Sequence, residues 1–193
     1  MNKRELKFLA AAGALQSLAA HRRAAHWEVA GVESATALLS DAPIRETAPQ
    51  LAAPTEGENL VADYASLGLT LGRHPLALLR PRLARMRLVQ ASELRQFPHG
   101  RLARAAGIVV GRQRPDTASG VVFVTLEDET GSVNVIVWRD LADSQRRELL
   151  GSRLMGVYGV VEREGEVVHL IARRLVDHSA LLGRLETSSR DFH

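Results

Sequence analysis

Between Val121 and Trp138 the chain reads VVFVTLEDETGSVNVIVW, with apolar residues alternating on both sides of an acidic centre. On the first arm Val122, Val124 and Leu126 share one side, and Val121, Phe123 and Thr125 the other. On the second arm Val133, Val135 and Val137 oppose Asn134, Ile136 and Trp138. Successive side chains of a strand point to opposite faces, so each arm can bury one face and present the other. Thr130-Gly131 supplies the turn chemistry between them. The spacing predicts a strand pair presenting Phe123, Thr125 and Asn134; Trp138 ends the second arm beside the next helix and is expected in the core.

Three more segments read as strands: Ala106–Gly111 before the pair, and Leu154–Arg163 and Glu166–Val176 after it, the last two joined by a hairpin at Gly165. Leu141–Leu150 reads as a short helix with Arg146, Arg147 and Glu148 on its polar side. Strand-strand-strand-helix-strand-strand over ~70 residues is the order of the OB-fold, a small Greek-key barrel. The predicted fold class is therefore α+β: an N-terminal helical segment followed by a five-stranded OB-fold barrel.

Upstream, Arg4–Ala12 and Ala14–Val29 have helical spacing, with Leu6 and Leu9, then Leu15, Leu18 and Trp27, on apolar faces. Gly13 suits a break or helix C-cap between them. The pair would form a helical hairpin (helix-hairpin-helix-like) over residues 1–30, with Arg22 and Arg23 exposed. Residues 31–63 carry Glu33, Asp41, Glu46, Glu56, Glu58 and Asp63 against Arg45, with Pro43, Pro49 and Pro54 among alanines. Residues 31–57 read as an acidic Pro/Ala linker, and a helical pattern resumes at Glu58–Leu67. After the turn GLTLGRHP, in which Pro75 suits a first helical position, the charge reverses. Arginines 73, 80, 82, 85, 87, 95, 101 and 104 face one acid, Glu93. The organisation expected is a basic helical connector at 58–104, the barrel at 105–178 and a tail at 179–193.

That reversal gives the composition its interest. The formal charge is only +3, but Lys3 and Lys7 are the sole lysines, so nearly every cation is arginine. The planar guanidinium can bond two phosphate oxygens at once, although an Ala- and Arg-rich composition also follows from genomic base content. The arginines of 73–104 read either as a solvated helix face or as the footprint of phosphate-backbone binding, with Arg82, Arg85 and Arg87 at its centre. The apolar stretch Phe8–Leu15 is diluted with alanine and preceded by Glu5 and Lys7, which favours an amphipathic helix over a cleaved signal. No apolar run approaches the ~20 residues of a membrane span, so no membrane partner is expected. The absence of cysteine excludes disulfides and thiolate metal sites.

OB-folds take nucleic acid on the face of strands two and three, between the loops that join strands one to two and four to five. Here those positions are Phe123, Thr125 and Asn134, Arg112 and Arg114 on the first loop, and Arg163 beside the second. An exposed Phe123 would stack on a base; the alternative is that it packs on a neighbouring helix or domain. Glu127-Asp128-Glu129 invites a metal reading, but three consecutive side chains of a strand-turn splay apart, and an aspartate more often bonds its own turn. The seven histidines are scattered, and no His-Glu-x-x-His, Walker or Gly-x-Ser-x-Gly pattern occurs. No catalytic residue and no cofactor or metal site is expected in this chain.

The segments FLAAAGALQSL (8–18) and LGLTLGRHPL (67–76), the LEDETG turn, HLIARRLVDHSALLGRL and the terminal SRDFH together resemble the C-terminal part of bacterial C-family DNA polymerases. That is the polymerase III alpha-subunit type, in its error-prone, damage-inducible branch. The resemblance implies a helix-hairpin-helix region that contacts duplex backbone, an OB domain associated with single-stranded template, and a bacterial cytoplasmic setting. It implies DNA, as template and as primer-template, and mutasome accessory proteins as partners. It also implies that the polymerising domain with its Mg2+ ions lies upstream, without counterpart here. Nothing here resembles a clear clamp-binding peptide, so clamp recruitment would have to come from a partner. The function expected is a DNA-positioning module of a polymerase used in translesion synthesis and repair. The alternatives are a protein-docking OB module within a mutasome, or a stand-alone OB protein that binds single strands.

Overall fold

The computed structural model describes residues 1–32, 49–115, 120–185, 187 and 189–191. The middle of the predicted linker, 33–48, the tip of the first barrel loop, 116–119, and the terminal Phe192-His193 lie outside the described residues. The chain divides into two units, Met1–Leu71 and Gly72–His193.

In the first unit α1 is Lys3–Ala11, α2 Gln16–Ala19, α3 Arg22–Gly31 and α4 Glu56–Leu67. Asn2 and Glu5 form a reciprocal capping box at α1, as Thr55 and Glu58 do at α4; each satisfies two otherwise unpaired N–H groups. The second cap starts α4 at Glu56, ahead of the predicted Glu58. The predicted second helix is broken at Ala20, which takes φ 60°, and His21 then caps α3 by accepting from the Ala24 N–H. Ala10, Ala19, Ala25 and Val29 form the small core.

Arg22 corrects the expectation that it is exposed. It is 6% exposed, and its guanidinium donates to the Asn59 carbonyl at 2.8 Å and pairs with Asp63. A buried guanidinium persists because α4 supplies those acceptors. Arg23 does sit at the surface, bonding Glu58 and the Ala52 carbonyl.

The second unit begins with α5 (Pro75–Arg85) and α6 (Ala91–Leu94). The strands follow as β1 Leu102–Gln113, β2 Val122–Asp128, β3 Gly131–Val137, β4 Leu154–Glu164, β5 Val167–Asp177 and β6 Arg190–Asp191. The sheet runs β2-β3-β5-β4-β1-β6, and β2 also pairs with β1, which closes β1 to β5 into a barrel. All ladders are antiparallel except β3 with β5 and β1 with β6. This is the five-stranded OB topology that the strand order predicts.

β1 is longer than predicted because it serves two ladders, pairing with β4 over Leu102–Ile108 and with β2 over Ile108–Gln113. At the crossing a Cβ on Gly107 would stand 2.7 Å from the Leu126 Cβ, so glycine is needed for the two strands to approach. The interior is filled by Val109, Val124, Leu126, Val135, Met155, Val157 and Leu170, inward residues contributed by all five strands.

The predicted helix Leu141–Leu150 is two short helices, α7 (Arg139–Ser144) and α8 (Arg146–Gly151), separated at Gln145. The Gln145 amide leaves the helical path to serve β5: it accepts from the Leu175 N–H at 2.8 Å and donates to the Leu175 carbonyl at 3.0 Å.

The basic segment packs on the barrel. Val89 bridges Ala105 of β1 in parallel, and Ala91, Leu94 and Phe97 join the barrel core. The acidic turn makes the attachment polar as well. Arg80 of α5 pairs with both Asp128 and Glu129, and Asp128 also accepts from the Ala91 N–H at 2.8 Å and from Thr130. These carboxylates therefore work as an anchor for α5 and α6.

Candidate nucleic-acid interface

Strand register brings outward residues into rungs around the barrel. Leu102, Val160, Ile171, Ile136 and Phe123 occupy one rung, running β1, β4, β5, β3, β2. The neighbouring rung is polar: Glu162, His169, Asn134 and Thr125. Thr125 lies directly opposite Asn134, and Phe123 opposite Ile136, so the three residues predicted on the presented face are brought together.

Phe123 is 37% exposed, flanked rather than covered. Trp138 is 58% exposed and overturns its assignment to the core. It follows the outward Ile136 by two residues, and its backbone caps α7 while the indole stays outside. The alternation of β3 carried this signal, since Val137 faces in and Trp138 must then face out. Two aromatic side chains thus stand on the β2–β3 surface, each a platform of the kind on which bases stack.

The arginines separate into two groups. Arg112 is on β1, not on the loop, and is 6% exposed. Its Nε donates to the Leu149 carbonyl at 2.7 Å, Nη2 to the Ser152 carbonyl at 2.5 Å, and Nη1 to Ser189 Oγ and Asp191. With its donors turned inward it joins α8 and β6 to β1, so it is removed from the predicted phosphate contacts. Arg163 is likewise occupied, donating to the Arg95 and Phe97 carbonyls.

Arg114, Arg82, Arg85 and Arg87 remain at the surface. Arg114 and Arg146 line a recess of about 690 Å³ with Val122, Leu150 and Asp143, beside the start of β2. Arg82 and Arg85 lie in the last turn of α5, where they complement the helix dipole. Arg87 holds φ 59° just beyond it.

Two groups with displaced titration, Glu129 and His74, sit at the α5 anchor. Burial pushes the Glu129 carboxyl up, but the hydrogen bonds from Arg80 and then Gln90 outweigh it and bring the group down to about 2. Burial holds the His74 imidazole below its ordinary range against the opposing pull of Glu127, Glu129 and Asp128. Among the described residues no group of three His, Asp or Glu side chains is arranged to hold a metal.

Residues 103–177 match a family of OB-fold nucleic acid binding domains, described as tRNA anti-codon type. The whole chain is 63% identical to an error-prone DNA polymerase of Azoarcus sp. (strain BH72), covering 100% of this chain and 18% of that protein. It is 58% identical to the error-prone DNA polymerase of Alkalilimnicola ehrlichii and 59% to that of Dechloromonas aromatica, covering 100% of this chain and 19% of each. The resemblance to the error-prone branch is thus borne out along the full chain. The chain spans less than a fifth of the length of these relatives.

Proposed function

We propose that this chain is the part of an error-prone DNA polymerase that holds DNA while synthesis takes place elsewhere in the protein. The barrel takes single-stranded template across β2 and β3. Phe123 and Trp138 stack on bases, Thr125 and Asn134 supply hydrogen bonds, and Arg114 meets the backbone. Arg82 and Arg85 of α5, with Arg87 just beyond it, bind phosphates of the primer-template. The first unit, with its capped short helices, contacts duplex backbone. The parent would perform translesion synthesis during repair in the bacterial cytoplasm, with its Mg2+ ions bound outside this chain.

The observation that carries the reading is the pair of exposed aromatic side chains, Phe123 and Trp138, on the one face of the barrel where OB-folds receive strands. The test is binding of the 193-residue chain to a labelled oligothymidine across a salt series. A phosphate-binding surface loses affinity with a slope of about −0.7 in log K against log salt for each phosphate met on a single strand.

A second reading has its own support. The rung from Leu102, which is 69% exposed, to Phe123 is apolar across all five barrel strands, and such a surface suits a protein partner such as a mutasome component. Absence of DNA binding at ~50 mM salt, where phosphate contacts are strongest, together with capture of polymerase accessory proteins, would decide for docking.

A further inference from the structure

The geometry points to a second phosphate-binding site on this barrel, on the outer surface of β1, β4 and β5, formed by Arg104, Arg173 and Arg174 around Tyr158. It rests on the reading of the chain as a nucleic-acid-binding module and names a surface that reading does not use.

The site arises from an irregularity in β5. Tyr158 pairs with Arg174 and Gly159 with Ala172, so Arg173 is left without a partner. Strict alternation would send Arg173 and Arg174 to opposite faces. The bulge instead leaves both exposed, with Ala172 and Leu175 buried on either side. Bulges re-aim side chains in this way and recur beside functional sites. Gly159 permits it, because a Cβ there would stand 2.2 Å from the Ile171 carbonyl oxygen.

On the other side of β4, Arg104 of β1 pairs with the same tyrosine. The guanidinium carbons of Arg104 and Arg174 stand over the Tyr158 ring at 5.0 and 5.9 Å from its centroid. None of Arg104, Arg173 and Arg174 pairs with a carboxylate among the described residues. Arg104 and Arg174, both over one ring, repel one another, and Arg173 adds a third exposed cation on the same strand as Arg174. N–H donors that no described residue accepts match the oxygens of a phosphodiester.

The occupant that fits is the nucleic-acid backbone. Tyr158 lies two residues from Val160 on β4, so the site adjoins the rung that ends at Phe123. From β2 to β4 across β3 and β5 are three strand spacings, roughly 14 Å. A single strand stacked on Phe123 can therefore continue over β3 and β5 to these arginines.

The test compares three forms of the 193-residue chain by oligothymidine binding over a salt series. The forms are the unaltered chain, the triple variant Arg104→Gln/Arg173→Gln/Arg174→Gln, and the triple variant to lysine. The glutamine form is expected to bind more weakly and to flatten the salt slope by about 1.4 to 2, at ~0.7 per phosphate; the lysine form is expected to keep the slope. An unchanged slope in a glutamine form that melts like the unaltered chain overturns this site.

Phe123→Ala run in parallel separates the two claims. Loss there with no effect of the glutamines leaves only the β2–β3 reading, the reverse leaves only this site, and no binding by the unaltered chain removes both. If the glutamine form does not fold, the arginine Nε resonances of residues 104 and 174 in the unaltered chain serve instead. They are expected to shift on titration with oligothymidine, and their immobility overturns the site.

Discussion

Arg80 and Glu129, 49 residues apart in sequence, meet through two hydrogen bonds, Nε to Oε1 at 2.5 Å and Nη2 to Oε2 at 2.8 Å. Paired donors on paired oxygens are the strongest form of this contact. Arg80 is 16% and Glu129 13% exposed at the side chain, so water does little to replace either partner. The pair fixes α5 to the β2–β3 turn and so sets where Arg82 and Arg85 are displayed.

Arg80→Gln is expected to destabilise the second unit by roughly 2–4 kcal/mol, since removing one partner strands the other in a partly buried place. Chemical denaturation monitored by hydrogen exchange of the barrel-strand amides reads the change. The pH dependence supplies an independent check. Glu129 lies at about 2 in the folded chain against an ordinary 4.5, so its contribution is complete above about 4.5 and is lost as pH falls towards 2. The unaltered chain should lose melting temperature across that window, and Arg80→Gln should lose less.

Arg112→Ala is expected to lower stability by about 1–3 kcal/mol for each of the Leu149 and Ser152 carbonyls left without its donor, while the half-exposed Asp191 turns to water. Asp191→Asn should cost less and act locally, raising hydrogen exchange at Arg190 and Asp191. Oligonucleotide affinity measured on the folded Arg112 variant at low temperature should be unchanged. A flattened salt slope there would return Arg112 to the binding surface.

For the β2–β3 face, Phe123→Ala and Trp138→Ala should each weaken oligothymidine binding by about 1–3 kcal/mol while leaving the salt slope in place. Arg114→Ala should do the opposite, flattening the slope by about 0.7. Fluorescence anisotropy on a short labelled oligonucleotide distinguishes the two behaviours. Normal binding by both aromatic variants would sink the stacking reading.

Gly159→Ala is expected to destabilise by about 1–3 kcal/mol or more, as forcing atoms into a packed region does. The neighbouring atom is backbone, the Ile171 carbonyl, and cannot step aside as a side chain would. Thermal melting gives the magnitude, and exchange of the amides around Arg173 shows whether the bulge is where the strain is relieved.

The barrel was legible in the sequence because its strands obey a local rule. Alternation placed Val122, Val124, Leu126, Val133, Val135 and Val137 inside, and the loops between them are short. What local rules missed has remote causes. Arg22 is buried because Asp63 lies 41 positions on, and Arg112 because Asp191 lies 79 positions on. Nothing beside either arginine announces the partner.

The helix from Leu141 to Leu150 looks continuous until Leu175 claims the side chain of Gln145. Trp138 was a different kind of miss. The alternation that placed its neighbours also placed it outside, and only the usual preference of tryptophan for the interior argued otherwise. The Arg173–Arg174 bulge needed knowledge of the opposite strand.

β1 outgrows its neighbours at both ends, and each overhang has been covered. Val89 bridges it at Ala105 near one end, and Arg190–Asp191 lie parallel to Gly111–Arg112 near the other. A strand overhang with unpaired amides is a template on which a second molecule can add its own strand. The segment entering the barrel and the segment leaving it therefore cover stretches of β1 on which a second strand could otherwise pair. A chain shortened before Ser189 should remain a barrel yet become prone to pairing edge to edge, with concentration-dependent oligomers as its signature.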